Sequence, residues 1–459
     1  MQNMTESLDC FKAYDIRGKV PEELDPDLAC RIGLALGLET KARRAVVGRD
    51  PRLSGQAIAE GMIEGLRQAG ADVTDIGLCG TEEIYYATFA HDFEAGVMIT
   101  ASHNPPEYNG MKFVRAKAAP ISGDTGLLAI KERVAKNNLP KAAKYGGLCA
   151  ADFKPQYIKR LISYINPGLL PPFSILADAG HGSAGPIIKL LSAELPFKFA
   201  MLHPEPDGAF PKGVPNPLLP ENRRLTAEAV RAAQADFGLA WDGDFDRCFF
   251  YDSQGEFIEG YYLVGLLAQA MLQDHPGEKI IHDPRLIWNT QAVVHACGGV
   301  SIESKTGHAF IKERMRAENA LYGGEMSAHH YFRDFAYCDS GMIPWLKVTE
   351  LIGHSGLSLT EMLAPRMAMF PCSGEINRRV SNAKAAIEEV LVRFKPLALE
   401  ETYIDGLSMT FPAWRFNLRS SNTEPLLRLN VESRADKDLM EDRTAELLKI
   451  IDQFEERQK

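Results

Sequence analysis

The segment Ala45-Val46-Val47-Gly48-Arg49-Asp50 is short, apolar and β-branched, and it ends in two charged residues. Helical spacing of apolar residues follows at 53–67, so the two segments predict a strand followed by a helix. The same order recurs at 175–191 and at 280–294. Three such βα units predict three related α/β layers in the fold.

The last quarter of the chain has a different pattern. Helical spacing at 382–394 and 439–451 surrounds two strand-like segments at 414–418 and 426–431. This mixture of elements predicts a separate α+β unit.

Chain length and turn-rich segments together predict four domains. At roughly 150 residues per domain, a chain of 459 residues holds about three or four of them. Turn-forming residues cluster near 145–147, 252–255 and 370–374. The predicted domains are 1–148, 149–254, 255–370 and 371–459.

The composition indicates a globular protein and excludes some partners. Apolar residues make up 45% of the chain, and the net charge is −10 without a long basic block. These values argue against nucleic acid and anionic membranes as partners. No apolar leader begins the sequence and no window approaches 18 apolar residues, so we expect a cytoplasmic protein. The eight cysteines contain no C-x-x-C pair, which favours reduced thiols.

A serine follows the predicted strand Val97-Met98-Ile99, in the segment Thr100-Ala101-Ser102-His103-Asn104-Pro105. Ligands of open α/β sheets bind beyond the carboxyl ends of the strands, so Ser102 is placed where a reactive hydroxyl would be useful. Serine, asparagine and proline also build ordinary turns. Taken alone, this segment leaves both interpretations open.

Three carboxylates alternate within an apolar context: Asp242, Asp244 and Asp246. If the segment is extended, they point to one side and can converge on a hard divalent cation. An EF-hand is excluded because Arg247 and Ser253 stand where that loop needs glycine and glutamate. Three carboxylates leave such a site about one charge negative, so a phosphoryl group needs further cations. Arg247 and Lys112 are the candidates.

Two other polar loops suit a phosphorylated sugar. The first combines Glu325, Ser327, His329 and a neighbouring histidine after two glycines, which suits sugar hydroxyls. A polar turn without function is an equal alternative, and a histidine metal site is disfavoured because adjacent histidines point apart. The second begins at Arg419 and continues with short hydroxyl and amide side chains up to residue 425. Such a turn offers a guanidinium fork and a nest of donors to phosphate, although a plain hairpin is the alternative.

Together these segments resemble the α-D-phosphohexomutase family, in particular its bacterial phosphomannomutase and phosphomannomutase/phosphoglucomutase branch. The similarity covers essentially the whole chain in the order of the family. The matching segments are FKAYDIRG at 11–18, TASHNP at 100–105, NGMK at 109–112, PNPLLPEN at 215–222, DGDFDR at 242–247, KTGH at 305–308, GEMSAH at 324–329 and RSSNTEP at 419–425.

The resemblance implies an α/β fold, with three similar mixed α/β domains plus a C-terminal α+β domain around a central cleft. In chain order, these would carry the phosphoserine, the metal, the sugar-recognition loop and the distal-phosphate site. It implies an isomerase that interconverts mannose 6-phosphate and mannose 1-phosphate through a phosphoserine and a hexose 1,6-bisphosphate. Glucose phosphates would be further substrates, and mannose 1-phosphate would serve GDP-mannose synthesis.

The resemblance also implies cofactors and partners. One Mg²⁺ per chain and a hexose 1,6-bisphosphate activator are expected. The partners would be small phosphosugars, with no nucleic acid and no membrane, and the protein would be a monomer or homodimer.

Individual roles follow from the matched positions. Ser102 matches the phosphoryl carrier, and its phosphoserine oxygen would join Asp242, Asp244 and Asp246 as a metal ligand. Basic residues near the reacting hydroxyl in the family match Lys112, Arg247 and His308, and which of them removes its proton stays open. The matched substrate-binding residues are Tyr14, Arg17, Lys305, Glu325, Ser327, His329, Arg419, Ser421, Asn422 and Thr423.

The sequence departs from the family at three places without losing a catalytic side chain. Phe245 and Ala328 stand where many relatives have glycine, and Thr81-Glu82-Glu83 replaces a Pro-Thr-Pro segment. A phosphoserine-dependent sugar phosphatase is the main alternative function, but a hydrolase does not need the distal-phosphate motif at 419–425. A noncatalytic phosphosugar-binding protein is disfavoured because Ser102 and the three aspartates are intact.

Overall fold

The computed structural model describes residues 8–420 and 426–455, which divide into two compact units. The first unit contains residues up to 257 together with 329–354, and the second contains 258–328 and the chain from 355 onward. None of the helices in these described residues is long and apolar enough to cross a membrane.

A mixed sheet forms the first layer of the first unit. Its strands in spatial order are Ile16–Lys19, Tyr108–Arg115, Ala95–Ile99, Arg44–Arg49, Asp72–Leu78 and Leu148–Ala150, and Ala119–Pro120 pairs with the second of them. Its helices are Pro26–Thr40, Gly55–Gln68, Thr81–Ala90 and Leu127–Ala135. The strand Arg44–Arg49 and the helix Gly55–Gln68 confirm the predicted βα unit.

Close helix packing supports this layer. The helices Pro26–Thr40 and Gly55–Gln68 bury an apolar core that includes Ile32 and Met62. A Cβ atom at Gly65 would lie 2.0 Å from the carbonyl oxygen of Cys30, so only glycine allows the two backbones to approach this closely. The helices thereby cover the parallel strands, and the carboxyl ends of those strands share one edge of the sheet.

A second sheet of the first unit carries the aspartate segment. Its main strands in spatial order are Cys248–Tyr251, Phe237–Trp241, Ser174–Asp178 and Lys198–Leu202. The short strand Phe257–Ile258 follows in the chain, and the helices are Lys154–Ile162, Ala184–Ser192 and Arg224–Ala233. Phe237–Trp241 is buried along its whole length, which positions the loop that follows it rigidly.

A hairpin and a helix complete the first unit: His330–Phe332, Cys338–Asp339 and Ile343–Ser355. The indole N–H of Trp241 donates to the carbonyl oxygen of Gly341 at 2.8 Å. This buried hydrogen bond links the segment after the hairpin to the strand that precedes the aspartates.

The second unit contains a parallel sheet and an antiparallel sheet. The parallel strands are Lys279–His282, Val300–Glu303 and Tyr322–Gly324. The antiparallel strands in spatial order are Ile376–Arg379, Leu426–Ser433, Trp414–Ser420, Leu407–Thr410 and Glu400–Thr402. The helices are Gly260–Asp274, Trp288–Ala296, His308–Glu318, Leu359–Met369, Ala383–Phe394 and Lys437–Ile451. The predicted α+β unit at the end of the chain is thus confirmed in its elements.

Candidate active site

Ser102 lies in the loop after the strand Ala95–Ile99, as predicted, and its backbone has φ = 50°. Its backbone N–H donates to Thr100 Oγ1 at 2.8 Å, and that hydroxyl donates to Asp50 Oδ2 at 2.6 Å. Because the left-handed conformation is costly for a residue with a side chain, these bonds indicate that the surroundings hold the serine in place.

Arg52 holds the rest of the serine loop, a role that no pattern in the sequence indicated. Its guanidinium donates to the carbonyl oxygens of Ser102, Asn104, Pro105 and Tyr108 at 2.6 to 2.9 Å. Arg52 is only 2% exposed and pairs with Asp50 at 3.3 Å. A fork of fixed N–H groups can hold several carbonyls at once, so one arginine fixes the loop shape.

The Ser102 hydroxyl contacts the aspartate segment directly. It donates to Asp242 Oδ2 at 2.7 Å, and Arg247 Nη2 lies 3.2 Å from the same hydroxyl oxygen. Burial alone would lower the pKa of Arg247, but the contact with Asp242 raises it, so the guanidinium is charged. The structure therefore brings together the predicted phosphoryl carrier, a carboxylate and a cation.

His103 and Arg17 also contact the serine loop. Burial and the charge of Arg247 hold the pKa of His103 well below its usual range, so its ring is neutral. Its Nδ1 lies 2.6 Å from Arg247 Nη2 and can accept from it. Arg17 donates to the carbonyl oxygen of Ala101 at 3.1 Å and to the side chain of Asn104. The half-buried Tyr14 lies just before the strand Ile16–Lys19, which carries Arg17.

The aspartates lie in a turn, which corrects the assumption of an extended segment. Phe245 N–H donates to the carbonyl oxygen of Asp242 at 3.1 Å, and Phe245 has φ = 43°. The carboxylates converge nonetheless. Oxygen atoms of all three lie within 4.8 Å of one another and are buried: Asp242, Asp244 and Asp246.

This cluster fits a divalent cation. Lys112 Nζ lies 2.6 Å from Asp244 Oδ2 and 2.5 Å from Asp246 Oδ2. Asp244 Oδ1 and Asp246 Oδ1 are buried and have no hydrogen-bond partner among the described residues. Buried carboxylate oxygens without donors, in a set of hard ligands, are what an oxygen-seeking divalent ion requires.

The two carboxylates beside Lys112 have opposite pKa shifts. Burial would raise the pKa of Asp244, but Lys112 and a hydrogen bond from Thr81 lower it below its usual range. Burial and the negative charge of Asp244 raise the pKa of Asp246. Burial would lower the pKa of Lys112, but the two carboxylates raise it. Lys112 therefore holds Asp244 as a carboxylate, whereas Asp246 is the more readily protonated of the two.

Thr81 anchors the middle aspartate, although the sequence marked it only as a departure from the family. At the start of the helix Thr81–Ala90, its Oγ1 donates to Asp244 Oδ2 at 2.5 Å. Its backbone N–H donates to the carbonyl oxygen of Asp244 at 3.0 Å. A Cβ atom at Gly80 would lie 2.0 Å from the buried ring of Phe245. The start of the helix Thr81–Ala90 is thus held against the aspartate turn by hydrogen bonds and by packing.

Replacing Thr81 with valine removes this donor while keeping the shape of the side chain. We expect Thr81→Val to weaken binding of Mg²⁺ by about tenfold or more, because groups that orient metal ligands contribute on that scale. Calorimetric titration with Mg²⁺ measures the change, and Thr81→Ser should restore wild-type affinity. Equal affinity in wild type and Thr81→Val, at equal thermal stability, would contradict the anchoring role.

His329 also belongs to the surroundings of this cluster. Its Nδ1 lies 3.0 Å from Asp339 Oδ2 and 3.9 Å from Asp246 Oδ1, and its backbone bridges to Arg247. The sequence did not identify Asp339, which is fully buried in the hairpin. His329 therefore lies against the aspartate turn, while its predicted role in binding substrate stays a prediction.

The remaining residues of the sugar-recognition loop lie in the second unit. Glu325 Oε1 accepts from the backbone N–H of Gly307 at 2.8 Å, next to His308 at the start of a helix. Lys305 Nζ lies 4.7 Å from the centre of the Phe310 ring. The structure thus brings the two predicted segments, 305–308 and 324–327, together.

Two of the positions noted above as departures from the family pattern adopt backbone conformations that favour glycine. Phe245 has φ = 43° and Ala328 has φ = 71°. In this region a side chain costs energy and glycine does not. Both residues therefore carry a backbone cost that glycine would avoid.

Arg419 lies at the end of the strand Trp414–Ser420, next to the predicted phosphate loop. Its Nη2 lies 3.2 Å from Glu375 Oε2, and its Nη1 lies 3.6 Å from Asp405 Oδ2. The sequence did not single out Glu375. The other predicted residues of this loop lie outside the described residues: Ser421, Asn422 and Thr423.

Four family models match successive parts of the chain. They are described as phosphoglucomutase/phosphomannomutase alpha/beta/alpha domain I at 9–141, domain II at 155–255, domain III at 259–370 and the C-terminal domain at 375–450.

Whole proteins match over their full length. "Phosphohexose mutases" of Xanthomonas campestris pv. campestris is 56% identical, covering 97% of this chain and 99% of the relative. "Phosphomannomutase" of Escherichia coli K12 is 53% identical, covering 98% and 100%. The crystal structure of a phosphoglucomutase/phosphomannomutase family protein from Burkholderia thailandensis is 31% identical, has a TM-score of 0.87 and covers 98% of this chain and 99% of that chain. With the serine, the aspartate cluster and these full-length matches, the chain belongs to the phosphoglucomutase/phosphomannomutase family.

Proposed function

We propose that this protein is a phosphomannomutase that interconverts mannose 6-phosphate and mannose 1-phosphate, and that it also acts on the corresponding glucose phosphates. The observation that carries the proposal is the contact between Ser102 Oγ, Asp242 and Arg247, within a buried carboxylate cluster. An isolated serine hydroxyl is a weak nucleophile. A serine so placed is suited to carry and return a phosphoryl group.

Each turnover consists of two phosphoryl transfers. In the first, the bond between phosphorus and Ser102 Oγ breaks and a bond to a sugar hydroxyl oxygen forms, while the hydroxyl proton passes to a base. Ser102 Oγ takes up a proton and the resulting hexose 1,6-bisphosphate reorients. In the second transfer, the bond between the other phosphorus and its sugar oxygen breaks and a bond to Ser102 Oγ forms, while the serine hydroxyl gives up its proton and the released sugar oxygen takes one up. Arg247 lies within hydrogen-bond distance of that oxygen and would stabilise its developing charge. The base among Lys112, Arg247 and His308 stays a prediction.

The aspartate turn would hold the metal, and we propose Mg²⁺, one per chain. Asp242, Asp244 and Asp246 would be its protein ligands, with an oxygen of phosphorylated Ser102. When bound, such an ion neutralises phosphoryl charge. Lys112 would keep two of these carboxylates oriented and supply positive charge near the transferred group.

Holding the phosphate that does not react is what separates a mutase from a phosphatase, and we assign this role to Arg419. Arg419→Ala should lower kcat/KM for mannose 1-phosphate by about 10- to 100-fold, the scale of one charge-assisted hydrogen-bonding side chain. Escape of the bisphosphate should increase. Release of products can be followed by ³¹P NMR.

The control for this experiment is Arg378→Ala, which removes an arginine of the same sheet whose partner is Asp452. Both variants should still accept phosphate on Ser102 from glucose 1,6-bisphosphate. Unchanged affinity for mannose 1-phosphate in Arg419→Ala would refute the assignment. Inorganic phosphate as the main product of the wild-type protein would favour the phosphatase.

Several finer expectations belong to the same proposal. A hexose 1,6-bisphosphate would be the activator, and mannose 1-phosphate would serve GDP-mannose synthesis. The protein would be a cytoplasmic monomer or homodimer. Domain boundaries after residues 148 and 370 are supported by the gaps between the matched family segments, and the boundary after residue 254 lies one residue before the end of the domain II match.

A further inference from the structure

Three arginines of the second unit converge on one carboxylate, that of Glu375. Oε2 lies 3.1 Å from Arg285 Nη1 and 3.2 Å from Arg419 Nη2, and Oε1 lies 3.5 Å from Arg428 Nη1. Burial would raise the pKa of Glu375, but the three guanidinium groups lower it. Glu375 is therefore an anion shared by several cations rather than the member of one ion pair.

Arg285 connects this anion to the sugar-recognition loop. It is 2% exposed, and Asp283 holds it by two hydrogen bonds of 2.8 and 3.0 Å. Its Nη2 also lies 3.4 Å from Ser327 Oγ. Asp283 Oδ2 accepts from the backbone N–H of Met326 at 2.8 Å. The loop backbone and the Ser327 hydroxyl are thus both tied to the Asp283–Arg285 pair.

Arg419 lies at the other end of the same network and retains N–H groups that can bind a further anion. Its two terminal nitrogens face Glu375 and Asp405, whereas its Nε is buried without an acceptor among the described residues. Each terminal nitrogen carries two hydrogens, so Arg419 can bind a phosphate while Glu375 keeps holding it. The ion pair with Glu375 therefore orients the guanidinium of Arg419 and leaves it N–H donors for a phosphate.

We propose that Glu375 is a positioning residue that couples the sugar-recognition loop at Ser327 to the phosphate-binding side chain of Arg419, through Arg285. A phosphosugar presents both hydroxyls and a phosphate, and one shared anion makes the arginine orientations interdependent. The network therefore favours ligands that satisfy both ends, and inorganic phosphate alone satisfies only one. This inference rests on the proposed function, because it assumes a phosphosugar as the ligand.

A double-mutant cycle tests the coupling. Binding of mannose 1-phosphate and of inorganic phosphate is measured by calorimetry for wild type, Ser327→Ala, Arg419→Ala and the double variant. With Glu375 present, the combined loss for mannose 1-phosphate should differ from the product of the single losses by about tenfold, a usual size for linked residues. In the Glu375→Gln background the losses should simply multiply.

Two controls separate coupling from stability. Glu401→Gln removes a half-buried carboxylate from the same sheet and should leave the coupling intact. A merely structural role of Glu375 would lower the melting temperature and preserve the non-additivity. If Glu375→Gln does not fold, Glu375→Asp keeps the charge but is too short to bridge both arginines, and it should also reduce the coupling.

The outcomes distinguish this inference from the proposed function. If the wild-type protein turns over mannose 1-phosphate and the non-additivity persists in Glu375→Gln, the coupling role is refuted and the mutase stands. If additivity holds already in the wild-type background, the inference also fails. If the wild-type protein neither binds nor converts phosphosugars, the proposed function itself fails.

Discussion

Replacing Ser102 with alanine should abolish mutase turnover, with a loss of at least about a thousandfold in kcat. The hydroxyl oxygen is the atom to which the phosphoryl group would be bonded between turnovers, and no neighbouring group can replace it. The neutral ring of His103 and the guanidinium of Arg247 lie within hydrogen-bond distance of this oxygen. They are its hydrogen-bond partners and do not take its place as the phosphoryl carrier. The loss should therefore appear in kcat, so raising the substrate concentration should not restore the rate.

Peptide mass analysis and a coupled assay with mannose 1-phosphate measure this effect. Phosphate should be found on Ser102 of the wild-type protein and not in the Ser102→Ala variant. Ser163→Ala, which changes an exposed serine of the same unit, should behave as wild type. Full steady-state activity in Ser102→Ala, or phosphate on another residue, would overturn the mechanism.

Asp244→Asn should weaken Mg²⁺ binding by at least about 100-fold and reduce turnover accordingly. Asparagine keeps the shape of the side chain but removes one of three negative charges from the cluster. It also places an amide where Lys112 and Thr81 now donate, 2.6 and 2.5 Å from the carboxylate oxygen. Both the charge and the orientation of the remaining ligands are then lost.

Calorimetric titration with Mg²⁺ gives the affinity, and turnover measured against Mg²⁺ concentration shows how far excess ion compensates. The exposed Asp27 offers a matched control, because Asp27→Asn changes the net charge equally at a distance from the cluster's ligands. Chelation should abolish turnover in the wild-type protein. Wild-type affinity and rate in Asp244→Asn would exclude the aspartate turn as the metal site.

The sequence by itself predicted the elements that depend on local patterns. The βα unit at Arg44–Arg49 and Gly55–Gln68 follows from apolar periodicity over a few turns. The placement of Ser102 beyond a strand follows from the same local reading. Alternate carboxylates in an apolar stretch indicate the aspartate site, although the extended backbone predicted to make them converge is wrong.

Only the tertiary structure decided how the aspartates converge. Phe245 takes a left-handed conformation, and its buried ring lies against Gly80, so the segment turns instead of extending. Packing between distant segments overrides the local preference of a bulky residue for negative φ. No pattern within the segment itself carries that information.

Lys112 was a candidate cation from the sequence, but the contacts of the supporting side chains were beyond the reach of sequence reasoning, because their partners are distant along the chain. Arg52 reaches the carbonyl oxygen of Ser102 across 50 positions, and Lys112 reaches Asp244 across 132. Arg285 meets Glu375 across 90 positions. Periodicity and spacing describe neighbours on one helix or strand, whereas these contacts form only after separate elements pack. The sequence therefore determined which groups could react, and the packing of distant segments determined what holds them in position.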